Sequence, residues 1–191
     1  MRTKVLILMV LCLFLGFFLG VYLGSPLRPV SESKLGQSAK EAISALKRLE
    51  ARVEVGISYR DYGPALGDAL FGVNQFLQSP EARKNPKLAE VITKVMTHFR
   101  MAGRVWNWSI SSGSSGYKYL PVGKAKFYGS RSEEEELNKL LKDILAKYPN
   151  VTEVALTGSM EYGSLSIEKV VGFIWKEASE ELKQADIFLQ K

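Results

Sequence analysis

His98 is the only histidine in a chain of 191 residues, and histidine alone among side chains has an ordinary pKa close to neutrality. A multi-histidine metal centre is therefore excluded, and a single neutral-pH acid or base is left. Cys12, the one cysteine, sits inside an apolar run, so neither a disulfide framework nor a cysteine-based zinc site is available. No serine lies in a G-x-S-x-G nucleophile elbow, and neither of the glycine patterns that cradle phosphates occurs. Glu133, Glu134, Glu135 and Glu136 are consecutive, but on a helix successive side chains point about 100° apart and do not converge on one calcium ion. No cofactor and no metal is expected, and the reading favours a non-enzyme.

Two constellations remain. Tyr59, Arg60, Asp61 and Tyr62 set a guanidinium and a carboxylate between two phenols, a group that can grip a polar ligand and is equally ordinary loop chemistry. Joined by His98, these residues give the alternative reading, a small-ligand-sensing or hydrolase-like pocket. The second constellation is a segregation of charge. Residues 83–131 hold ten basic side chains and one acid, Glu90, a balance of +9, whereas residues 132–191 hold seven basic and twelve acidic groups, a balance of −5.

The basic stretch is interleaved with Trp106, Trp108, Tyr117, Tyr119, Phe127 and Tyr128, a mixture suited to an anionic surface. Arg100, Arg104, Trp108, Lys118, Lys124 and Lys126 are the residues expected to contact it. The competing reading is that the basic part packs beside the acidic part of the same domain.

The elements that must position these residues begin after an apolar segment. Residues 5–24 are twenty uncharged residues behind Arg2 and Lys4; as a helix they would extend about 30 Å, the thickness of a bilayer's hydrocarbon. The expectation is a transmembrane signal anchor over 1–24, a Pro- and Ser-rich linker over 25–33 and a domain over 34–191. Basic residues on the short side place that domain outside the cytoplasm, periplasmic or extracellular, in a single-pass protein of the cell membrane. Gly16, Gly20 and Gly24 share one helical face and suggest helix pairing into a homo-oligomer. With the domain facing outward, nucleic acid is not an expected partner; lipid headgroups, an envelope polymer or an acidic protein are.

Apolar spacing then predicts five helices. The first covers 33–55 on Leu35, Ala42, Ala45, Leu46, Leu49 and Val53, and the second covers 64–78 with Pro64 at its first position. The third opens at Asn85 and Pro86 and carries a stripe from Leu88 to Trp106. Residues 109–129 read as a long loop, with a hairpin as an option. Ser132 with Glu135 opens a fourth helix to 148, residues 151–156 are ambiguous between strand and helical turn, and a last helix covers 165–189. The fold class is all-α, a helical bundle following the transmembrane helix. Alternation over Val53, Val55, Ile57 and Tyr59 leaves a minor α+β alternative.

Three segments, VEVGISYRDYGPALGDA at 53–69, AGRVW at 102–106 and the W-x-x-A of Trp175 and Ala178, resemble small exported helical proteins of bacteria. That resemblance implies a helical fold and an envelope location. It brings no activity and no site residues with it. Together these observations favour a binding or scaffolding module over an enzyme.

Overall fold

The computed structural model describes residues 36–111, 117–125, 127 and 129–189. Serines start three of its helices. Ser58 Oγ accepts a hydrogen bond from the Asp61 amide at 3.2 Å, which begins a helix at Tyr59 and not at Pro64 as the sequence predicts. Pro64 consequently lies inside it, where the missing N–H leaves the Arg60 carbonyl without its usual helical partner. Ser79 caps a five-residue helix. Ser130 forms a capping box with Glu133, two residues before the position expected, and the backbone and side chain of Ser130 hold the Glu133 carboxyl below its ordinary pKa.

In chain order the helices are α1 (Gln37–Val55), α2 (Tyr59–Gln78), α3 (Pro80–Lys84), α4 (Pro86–Ser111), α5 (Arg131–Lys147), α6 (Val151–Ala155) and α7 (Ile167–Leu189). Three short strands, β1 (Tyr119–Pro121), β2 (Leu156–Thr157) and β3 (Ser164–Ser166), form an antiparallel sheet in the order β1-β3-β2. The all-α expectation is thus corrected to a mainly helical fold carrying a small sheet. Its strands are not those suggested by the alternation at 53–59, since Val55 is 90% exposed and offers no apolar face to a sheet. Within 109–129, the strand among the described residues is β1, which pairs with β3, placing Leu120 opposite Leu165. Residues 151–156 satisfy both readings, a helical turn through Ala155 and then the start of β2.

The apolar residues divide into two clusters. One joins α1, α2, α3, the first half of α4 and the last half of α7, with Ile43, Leu46, Phe76, Leu88, Ile92 and Leu182 buried. The other joins the second half of α4, the sheet, α5, α6 and the first half of α7, with Val105, Leu120, Ile144, Leu165 and Ile174 buried. Since opposite halves of α4 and α7 meet in each cluster, the two helices run antiparallel and form the axis of the fold. Trp106 and Trp175 pack against both clusters. All residues of both lie between Ala39 and Ala185, within the compact unit that begins at Leu35, so that unit carries its own core.

Among the described residues no helix is long and apolar enough to cross a membrane, so the membrane and signal-anchor assignment drawn from the sequence finds no support there. The apolar run 5–24, its glycines Gly16, Gly20 and Gly24, and the linker 25–33 lie outside the described residues.

Candidate functional site

The three segments singled out in the sequence meet where α2, α4 and α7 cross. Tyr62 is 1% exposed; its hydroxyl donates to the Phe99 carbonyl at 2.7 Å and accepts from Trp175 Nε1 at 3.3 Å. Burial pushes the phenol pKa well above its ordinary value. The Trp106 ring lies 5.5 Å from Tyr62, 5.4 Å from Trp175 and 5.7 Å from Tyr59, centroid to centroid. These tilted and edge-on pairs lie in the range where the aromatic quadrupole is attractive. Gly103 eases the close approach, because a Cβ there would stand 3.2 Å from the Tyr62 ring, a tight contact.

An opening lies on each side of this aromatic cluster. Between α2 and α4 is a groove of about 480 Å³ lined by Tyr59, Arg60, Leu66, Arg100, Arg104 and Asn107 among others. Residues 100, 104 and 107 recur at helical spacing, which puts them on one face of α4. Arg104 is held by Asp143 of α5 at 2.9 Å, and the Tyr59 hydroxyl donates to Asn107 Oδ1 at 2.5 Å. Among the described residues no carboxylate is in ion-pair contact with Arg60 or Arg100. The second opening, about 490 Å³, lies between the α1–α2 turn, α4, the sheet and the start of α7; Trp106 and Trp175 line it together with Ile57, Lys118, Glu168 and Val171.

The structure unites part of each expected constellation and separates the rest. Tyr59 and Arg60 share the groove with Arg100 and Arg104, while Asp61 faces a different opening beside Ser58 and Arg52. Trp108 is 7% exposed and stacks at 6.0 Å on Tyr117, so it belongs to the core. Lys118 lines the second opening. Lys124 pairs with Glu161 at 2.6 Å, and Lys126 lies outside the described residues. With Arg131 on Glu135, three basic side chains of the 83–131 stretch are therefore paired with the acidic part of the same domain, as the competing reading expects, and two arginines of the groove are not.

His98 does not join Tyr59, Arg60 and Asp61. It is 7% exposed, its Nδ1 lies 2.8 Å from the Tyr148 hydroxyl, and burial, reinforced by Lys147 and Lys94, lowers its pKa to about 4. At neutral pH the ring is uncharged, so Nδ1 accepts from a phenol whose own pKa is pushed up by burial and by Glu177. This is a packing pair, and neither residue lines the groove or the second opening. Among the described residues no group of three or more His, Cys, Asp or Glu side chains is placed to hold a metal ion.

The sequence reading missed the aromatic crossing and the second opening. Trp175 was visible in the last helix and in the W-x-x-A pattern, but nothing in its spacing says which residue of α2 it meets. In comparisons with known proteins, no family model, no curated protein and no solved structure matches the chain, and function is therefore read from the geometry alone.

Proposed function

We propose that the helical unit is a binding module that takes an anionic partner along the groove between α2 and α4. The observation that carries this is the placement of Arg60 and Arg100 from two different helices on one groove, with no carboxylate of the described residues against either. Guanidinium groups are always charged and match carboxylates and phosphates through paired N–H donors. Arg104 lines the same groove with its Nη1 paired to Asp143, so its charge is partly offset. The surrounding 83–131 stretch, with its balance of +9, raises the local concentration of an anionic partner before contact. Leu66 and the half-buried ring of Tyr59 supply apolar contact that exposed ion pairs need, since on their own they contribute little.

The test is binding of poly-L-glutamate to the full-length chain as salt is raised. Wild-type binding should weaken steeply with salt, because exposed charges are screened beyond about 8 Å at physiological ionic strength. Arg60→Gln with Arg100→Gln should lower affinity at least about tenfold, equivalent to roughly 1.4 kcal/mol, while Lys183→Gln on the exposed side of α7 should change it less than twofold. Equal binding by the double arginine variant and wild type would refute the proposal.

A further inference from the structure

The opening on the sheet side of Trp106 and Trp175 has a different chemistry from the arginine groove. Its volume, about 490 Å³, falls in the range of small-molecule sites. Ile57, Val171 and the two tryptophans give it an apolar interior, and its rim carries one cation, Lys118, and one anion, Glu168. Both are exposed, and among the described residues neither is in ion-pair contact with any other group. The Ile167 amide donates to the Lys118 carbonyl at 3.0 Å, which fixes the two rim segments side by side. Ser109, also on the lining, has its hydroxyl committed to the Tyr117 carbonyl at 2.8 Å, so the rim's charge is left to Lys118 and Glu168.

We infer that this cavity binds a small zwitterion with an apolar side chain, the chemistry of a free hydrophobic amino acid. A simple anion would meet Lys118 but be repelled by Glu168, and a simple cation would meet the reverse. A neutral apolar molecule would fill the interior and make no use of either charge on the rim. Only a ligand carrying an ammonium and a carboxylate on one end and an apolar body on the other matches all three features. Apolar burial against Trp106, Trp175, Ile57 and Val171 supplies most of the affinity, and the two rim charges supply discrimination. The site is independent of the arginine groove, from which the aromatic crossing separates it.

The probes are L-phenylalanine, N-acetyl-L-phenylalanine, which lacks the ammonium, and L-phenylalaninamide, which lacks the carboxylate. Binding is measured by calorimetry on the full-length chain in a non-ionic detergent. L-phenylalanine should bind about fivefold more tightly than either blocked compound, since one charge contact at an exposed rim contributes up to about 1 kcal/mol. Lys118→Gln should bring L-phenylalanine and its amide within twofold of each other and keep the discrimination against the N-acetyl compound. Glu168→Gln should do the converse. Both positions are exposed, and unchanged circular dichroism of each variant establishes that the fold is kept. The inference is overturned if L-phenylalanine binds no better than the blocked compounds, if nothing binds at millimolar concentration, or if both variants keep the wild-type pattern of discrimination.

Discussion

Between pH 7 and pH 5 the His98–Tyr148 pair should cost the folded unit about 2 kcal/mol of stability. The native ring titrates at about 4, against an ordinary value of 6.5 that it regains on unfolding. Because the native pKa is depressed, the unfolded chain binds the proton first. Stability therefore rises with pH across this window and is lost as pH falls through it. The whole interval from 6.5 to about 4 is worth about 3 kcal/mol at 1.36 kcal/mol per pH unit, of which roughly 2 kcal/mol has been lost by pH 5.

The charged groups around the pair are Lys94, on the same helix, Lys147 beside Tyr148, and Glu177 and Glu181 of α7, whose charges act on Tyr148 and on the two lysines. All four remain in His98→Gln, so their titration cancels when the variant is compared with wild type. The assay is thermal unfolding of residues 35–191 for both proteins at pH 7 and pH 5. For a domain of this size, 1 kcal/mol moves Tm by about 2–4 °C, so the wild type should lose roughly 4–8 °C more than His98→Gln on acidification. Parallel falls in Tm would refute the reasoning and show that His98 is not held neutral by its surroundings.

Other consequences concern the elements that hold the site. Tyr62→Phe removes the hydroxyl that joins the Phe99 carbonyl to Trp175 Nε1 and should cost about 1–2 kcal/mol in denaturant unfolding; no change would mean that water replaces the hydroxyl at no cost. Gly123 has φ +61, and a Cβ there would lie 2.4 Å from the Met160 carbonyl oxygen, so Gly123→Ala should lower stability by more than about 1 kcal/mol. Gly172 lies within α7, where an added Cβ would meet nothing within 4 Å, and Gly172→Ala should raise Tm, by about 0.5–1 kcal/mol of stability. Ser130→Ala removes one half of the capping box that starts α5 and should cost about 1 kcal/mol, read in the same unfolding experiment.

Much of the secondary structure was legible because amphipathic helices write their buried face into the spacing of apolar residues. The stripe from Leu88 to Trp106 and the last helix, read at 165–189, correspond to α4 and α7, and the helix read at 132–148 corresponds to α5. The start of α2 was misplaced because Pro64 is a strong helix-opening signal, whereas the cap that governs the start is Ser58. The sheet was missed because strands of two or three residues are too short for a period of two to show.

Charge segregation, the lone histidine and the apolar stripes were determined by the sequence itself, since composition and local periodicity require no knowledge of what packs against what. Tertiary structure decided which charges are free. The chain order places Arg60 forty residues before Arg100, and only the crossing of α2 over α4, with Gly103 close against Tyr62, brings both to one groove. It also decided that Arg104 and Lys124 are already paired with Asp143 and Glu161, that Trp108 is core, and that His98 is sealed against Tyr148. Each of these depends on contacts between residues distant in the chain, and the physical reason the sequence does not show them is that side-chain burial and ion pairing are set by the neighbouring helix, whose register no local pattern records.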